Sequence, residues 1–65
     1  MVKINGKDAG YAVGMTIKNY LIENNYRLNF IAVEKNGTIV PKTEYENSVI
    51  NDGDTIEIVN FVGGG

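Results

Sequence analysis

A single narrow stripe of apolar residues at helical spacing limits what this chain can fold into. Thr16 is an N-cap residue by type, and after it Ile17, Tyr20 and Leu21 recur at i, i+3 and i+4, with Lys18, Asn19 and Glu23 outside the stripe. Asn24-Asn25 closes the segment, because asparagine tolerates the left-handed backbone used at helix C-termini. One helix with one apolar stripe covers one face of one sheet, so the expected fold class is a two-layer α+β domain.

The rest of the chain supplies the sheet. Val2 and Ile4 alternate with Lys3 before Asn5-Gly6, a dipeptide suited to a two-residue hairpin turn. Lys7 to Val13 reads as the return strand, with Ala9, Tyr11 and Val13 on one face and Gly10 as a weak point or bulge. Gly14-Met15 breaks it. Beyond the helix, Phe30 to Lys35 returns to period two, with Ile31 and Val33 on one face and Phe30, Ala32 and Glu34 on the other. Asn36-Gly37 is a second hairpin signal, leading to Ile39-Val40, which Pro41 ends or places at a sheet edge. Pro41 to Ser48 is a polar crossover whose Tyr45 lies over the end of the core. Asn51-Asp52-Gly53-Asp54 is a turn, and Thr55 to Phe61 is the strongest strand pattern of all. Hairpins make the neighbours antiparallel, and the last strand is expected beside the first in the middle of the sheet. A folded domain over residues 1–61 and a flexible glycine tail over residues 62–65 are the expected organisation.

Composition removes most catalytic chemistry. At 65 residues the chain buries only about 60% of the surface it exposes when unfolded, leaving little room for an enclosed active site. It has no cysteine, histidine or tryptophan, hence no disulfide, no thiolate nucleophile, and none of the side chains most used as general base or metal ligand at neutral pH. An independent enzyme is not expected. The formal net charge of −2, with no basic cluster, disfavours nucleic acid. No apolar run has the length of a membrane span and no secretory signal pattern opens the chain, so a cytoplasmic protein is expected. Glu44 and Glu46 read as solvated loop carboxylates, and Asp52-Gly53-Asp54 lacks the glutamate that a calcium loop places at its twelfth position. The tyrosines, Tyr11, Tyr20, Tyr26 and Tyr45, have no interleaved basic residues and do not form a base-stacking platform.

What remains is the end of the chain, Phe61-Val62-Gly63-Gly64-Gly65. Residues without Cβ can pass a channel too narrow for any other, and ordering them costs about 1 to 2 kcal/mol each, which a partner must offset. Such a tail makes the free carboxylate of Gly65 the candidate working group; taken alone, it is more often the form of a frayed terminus or a leftover linker. A second feature adjoins it. If Ile56 and Ile58 face the helix, strand alternation sends Glu57, Val59 and Phe61 to the uncovered side, where Val59 and Phe61 form an apolar docking patch beside the tail. The alternative is a bulge that returns Phe61 to the core rim.

The whole chain resembles the ThiS family, the small sulfur-carrier proteins of thiamin thiazole biosynthesis. The resemblance rests on Ile4-Asn5-Gly6, Gly14-Met15-Thr16-Ile17, Ile31 to Asn36, Ile39-Val40-Pro41-Lys42, Tyr45, Asn51 to Ile58 and the terminal Val62-Gly63-Gly64-Gly65, in that order and spacing. Lys42 stands where the family often has arginine, and Tyr45 where it often has tryptophan. The resemblance implies a β-grasp (ubiquitin-like) fold, a mixed four- to five-stranded sheet with one main helix on one face. It implies that Gly65 is the reacting residue, adenylated and then converted to a thiocarboxylate, with Val59, Phe61, Val62, Gly63 and Gly64 as partner contacts. The implied partners are a ThiF-like adenylating enzyme, a sulfur donor such as a cysteine desulfurase, and a ThiG-like thiazole synthase. No cofactor is bound by the carrier; ATP and magnesium are used by the adenylating enzyme. The alternatives are the molybdopterin-synthase small subunit, another ubiquitin-like sulfur carrier or conjugation protein, and, from a different class, a β-grasp binding module with an inert tail.

Overall fold

In the computed structural model, which describes residues 1–61, the expected two-layer α+β arrangement is present. The strands are β1 (Lys3–Ile4), β2 (Lys7–Asp8), β3 (Ile31–Lys35), β4 (Thr38–Val40) and β5 (Thr55–Asn60), in the spatial order β2-β1-β5-β3-β4. The helix, α1, is Ile17–Glu23. The first and last strands lie side by side at the centre and run parallel, with Lys3 opposite Thr55 and Ile4 opposite Ile56. The other pairings are antiparallel.

Turn chemistry fixes both hairpins. Asn5 and Gly6 have φ of 52° and 81°, and Asn36 and Gly37 have 53° and 84°, the paired left-handed conformations that asparagine and glycine reach most easily. Asn5 does more than turn the chain. Its side-chain amide accepts from the Ile58 N–H at 2.7 Å and donates to the Ile58 carbonyl at 3.3 Å, so it continues the β1–β5 ladder one residue beyond the end of β1.

The helix ends are held as their sequence suggests. The Thr16 hydroxyl accepts from the Asn19 N–H at 3.1 Å, while the Ile17 and Lys18 N–H groups donate to the carbonyls of Ser48 and Tyr45 at 2.8 and 2.9 Å. The crossover thus caps the helix. At the other end Asn25 takes φ of 63°, and Tyr26 donates to the Leu21 carbonyl at 2.9 Å, closing a Schellman motif. Ile17, Tyr20 and Leu21 are buried, together with Val2, Ile4, Ile31, Val33, Tyr45, Ile50, Ile56 and Ile58.

Two segments differ from expectation. Lys7 to Val13 does not continue as a strand: β2 ends at Asp8, and Gly10–Ala12 forms a 3-10 turn. Ala9 and Ala12 are buried while Tyr11 and Val13 are exposed, so the inward spacing is three rather than two. The core under that corner has room for alanines, not for a tyrosine. Phe30 belongs to another 3-10 turn, Leu28–Phe30, which precedes β3.

Asp54, expected only as part of a turn, is the buried polar residue of the structure's core, at 8% exposure. It accepts from the Asn51 N–H at 2.8 Å and the Asn36 side chain at 2.9 Å, and it lies 3.5 Å from the Lys35 ammonium. The Asn36 amide oxygen in turn accepts from the Thr55 N–H at 2.8 Å. This network ties the β3–β4 hairpin to the start of β5. Burial pushes the Asp54 carboxyl up, but the Asn51 and Asn36 donors and the Lys35 charge outweigh it and hold it below the ordinary carboxylate value.

Two outcomes are expected. Asn5→Gly, which retains the turn conformation and removes the amide, lowers unfolding free energy by about 1 to 2 kcal/mol in urea titrations. Because the folded Asp54 value is depressed, its contribution is fully present above the unfolded value of about 3.9 and is lost as pH falls through the lower folded value. Stability measured against pH is expected to show that acid loss in the wild type and to lack most of it in Asp54→Asn.

Candidate functional site: the open sheet face and the tail root

The helix covers one side of the sheet, and the side chains of β5 divide between that side and the uncovered one. Ile56 and Ile58 are buried at 1% and 7% exposure, whereas Val59 and Phe61 are exposed at 56% and 47%. Glu57 is exposed as well. No bulge interrupts the register between Ile31↔Asn60 and Lys35↔Ile56, so alternation decides the facing. Phe61 therefore does not return to the core.

The root of the tail is fixed. Phe61 donates its backbone N–H to the Phe30 carbonyl at 2.6 Å, extending the β3–β5 pairing to the last described residue. Beside it lies an open cleft of about 510 Å³ between the end of α1 and the end of β5, bordered by Asn25, Arg27, Phe30, Asn60 and Phe61. Ile39, on the outer strand β4, adds a third exposed apolar side chain at 60%. Of the expected partner contacts, Val59 and Phe61 are thus placed at the open face and tail root. Val62, Gly63, Gly64 and the reacting residue Gly65 lie outside the described residues.

The remaining titratable groups are dispersed. Among the described residues no group of three His, Cys, Asp or Glu is placed to hold a metal ion. Tyr20 and Tyr45 are core residues, and burial, then the neighbouring Tyr11, push the Tyr20 hydroxyl up to about 12. It stays protonated at neutral pH. Among those residues no helix is long and apolar enough to cross a membrane. Sequence reasoning missed two features around this site. One is Arg27 at the cleft, and the other is the direct opposition of Glu34 and Glu57 across the central strands. The period-two pattern of both segments held the second; only the strand register was missing.

A five-stranded mixed sheet with a central parallel pair, one helix on one face and a chain end leaving from the middle strand defines a β-grasp domain. A crystal structure of ThiS from Geobacter metallireducens shares this fold, with a TM-score of 0.77 over 98% of this chain and 97% of that one, at 24% identity. The ThiS family model matches residues 2–65. The sulfur carrier protein ThiS of Bacillus subtilis is 38% identical over 66 residues, covering the whole of both chains. This chain belongs to the ThiS family. It is also 44% identical over 62 residues to a thiazole synthase of Paramagnetospirillum magneticum, matching 95% of this chain but spanning only 19% of that protein's length.

Facing determines the expected response to truncation. Ile58→Ala is expected to cost about 2 to 5 kcal/mol in urea unfolding, and Val59→Ala, its exposed neighbour, within about 0.5 kcal/mol of zero.

Proposed function

We propose that this chain is a sulfur carrier of thiamin biosynthesis whose working group is the C-terminal carboxylate of Gly65. The observation that carries the proposal is that the family match extends through the tail, to residue 65. The geometry supports it: the chain leaves the sheet at a root pinned to Phe30, next to exposed Val59 and Phe61. A partner that docks on that face receives the tail from a fixed starting point.

The chemistry explains why a partner is required. A carboxylate is a poor electrophile until it carries a good leaving group. In the proposed sequence a ThiF-like enzyme uses ATP with magnesium to join AMP to the Gly65 carboxylate, releasing pyrophosphate. Persulfide sulfur, for which a cysteine desulfurase is the source, then attacks the acyl adenylate and expels AMP, and a thiol reduces the resulting acyl disulfide, leaving as the mixed disulfide and freeing the thiocarboxylate. Thiazole synthase takes that sulfur; the likeness to the Paramagnetospirillum thiazole synthase supports this acceptor. ATP and magnesium belong to the adenylating enzyme, and the chain is its substrate rather than a catalyst. The glycines 63–65 let the terminal carboxylate reach about 10 Å from Val62 through a narrow channel. A cytoplasmic setting, where ATP is abundant, is part of the same proposal.

Intact mass tests the carrier chemistry. Incubation with the adenylating enzyme, ATP and a sulfur donor is expected to replace one oxygen of the chain with sulfur; an unchanged mass with active enzyme and intact tail favours an inert-tailed binding module. Deleting Gly65 is expected to abolish the reaction without unfolding the domain, and Gly64→Ala to slow adenylation strongly. Unaltered adenylation kinetics in Gly64→Ala would refute the narrow-channel explanation.

A further inference from the structure

Both hairpins turn on the same dipeptide, Asn5-Gly6 and Asn36-Gly37. Asparagine before glycine is the pairing most open to hydrolytic loss of the side-chain amide. The glycine backbone nitrogen attacks the asparagine Cγ, the amide nitrogen leaves as ammonia, and a five-membered imide closes. Water then opens the imide at one of its two carbonyls, leaving an aspartyl or an isoaspartyl residue. Glycine permits the attack because no Cβ shields its nitrogen. Asn5, Gly6, Asn36 and Gly37 are exposed, and nothing lies within 4 Å of the place a Cβ would take on either glycine. Among the described residues neither glycine N–H donates to a backbone carbonyl.

The two turns differ in what the amide touches. At Asn5 the amide oxygen accepts from the Ile58 N–H at 2.7 Å, and the NH2 group makes only a long 3.3 Å contact with the Ile58 carbonyl. A carboxylate there keeps the first bond and loses the weaker second. At Asn36 the amide oxygen accepts from the Thr55 N–H at 2.8 Å, and the NH2 group donates to the Asp54 carboxylate at 2.9 Å. A carboxylate there sets oxygen against oxygen. Two carboxylates so close do not both stay ionised without cost. Asp54 is 8% exposed, so water screens the pair poorly, and the cation beside it, Lys35 at 3.5 Å, already serves Asp54.

We propose that Asn36 is a hydrolytic modification site, at which replacement of the amide by a carboxylate turns the network between the β3–β4 hairpin and the start of β5 from attractive to repulsive. The change adds one negative charge to a chain of formal net charge −2. It needs only water, and the escape of ammonia makes it irreversible in dilute solution. In the folded chain the amide must first leave both Asp54 and Thr55, so the reaction runs through local openings of the hairpin. Each modified molecule then opens more readily than before. The site therefore limits how long a molecule keeps its full stability, and it does so independently of the chemistry at Gly65.

The full chain is aged at mildly alkaline pH and physiological temperature, folded and in urea, and each exchange of NH2 for OH is located by intact mass and peptide mapping. Modification of Asn36 is expected in both samples, more slowly in the folded one. An Asn36 that stays intact in the folded chain while the urea sample is modified overturns the proposal. Thermal unfolding of variants reads the consequence. Asn36→Asp, which reproduces the aspartyl product, is expected to lower Tm by about 10 °C or more, and Asn5→Asp by less than about half as much. Exchanging the two groups, Asn36→Asp with Asp54→Asn, restores a donor opposite an acceptor and is expected to recover most of the loss. Asn36→Asp with the wild-type Tm overturns the proposal. An exchanged variant no more stable than Asn36→Asp also overturns it, by showing that opposed carboxylates are not the cause. None of these readouts uses the adenylating enzyme, so the carrier reading stands or falls separately.

Discussion

The pairing of the first strand with the last is the interaction on which the rest of the structure depends. Lys3 and Ile4 lie parallel to Thr55 and Ile56, and the Asn5 side chain carries the ladder on to Ile58. Each hairpin then hangs from one side of this central pair, β2 outside β1 and the β3–β4 unit outside β5. Residues more than fifty apart in sequence must meet for it to form. A parallel pair also requires the chain to cross over between its strands, and here β2, α1, β3, β4 and the polar crossover all lie in that connection.

Once β5 is fixed in the middle, its alternation allocates work to the two faces. Ile56 and Ile58 join the core under α1, while Glu57, Val59 and Phe61 go to the side without a covering layer. The stabilising half and the presenting half of the strand are separated by one residue of register. The hydrogen bond from Phe61 to Phe30 holds that register up to the chain's exit. The proposed carrier role, in which the terminus is handed to another protein, calls for a rigid base with an exposed face beside it. The polar network of Asp54, Asn36, Asn51 and Lys35 serves the base, not the chemistry.

Much of this was legible in the residues. The helix stripe, the Thr16 cap, both asparagine-glycine turns and the exposure of Val59 and Phe61 arise from local periodicity and turn chemistry, and the last strand lies beside the first in the middle of the sheet as expected. The segment after β2 did not. Ala9, Tyr11 and Val13 alternate as a strand would, yet the chain there must turn from the sheet edge toward the helix, and a 3-10 turn that buries Ala9 and Ala12 makes that corner. Tertiary geometry overrode a weak local pattern that Gly10 had already interrupted.

The sequence by itself determined most of the elements and the class of fold, because periodicity, caps and turns are interactions between near neighbours, and its motifs in their order carried the resemblance to the family. Only the tertiary structure decided which side chains share a surface. Asp54 and Asn36 are eighteen residues apart and touch, Glu34 and Glu57 come from different strands and stand opposed, and Arg27 meets Phe61 across a cleft. Nothing local in the chain encodes these juxtapositions. They arise from the register of β5 between β1 and β3, which long-range burial of Ile56 and Ile58 sets.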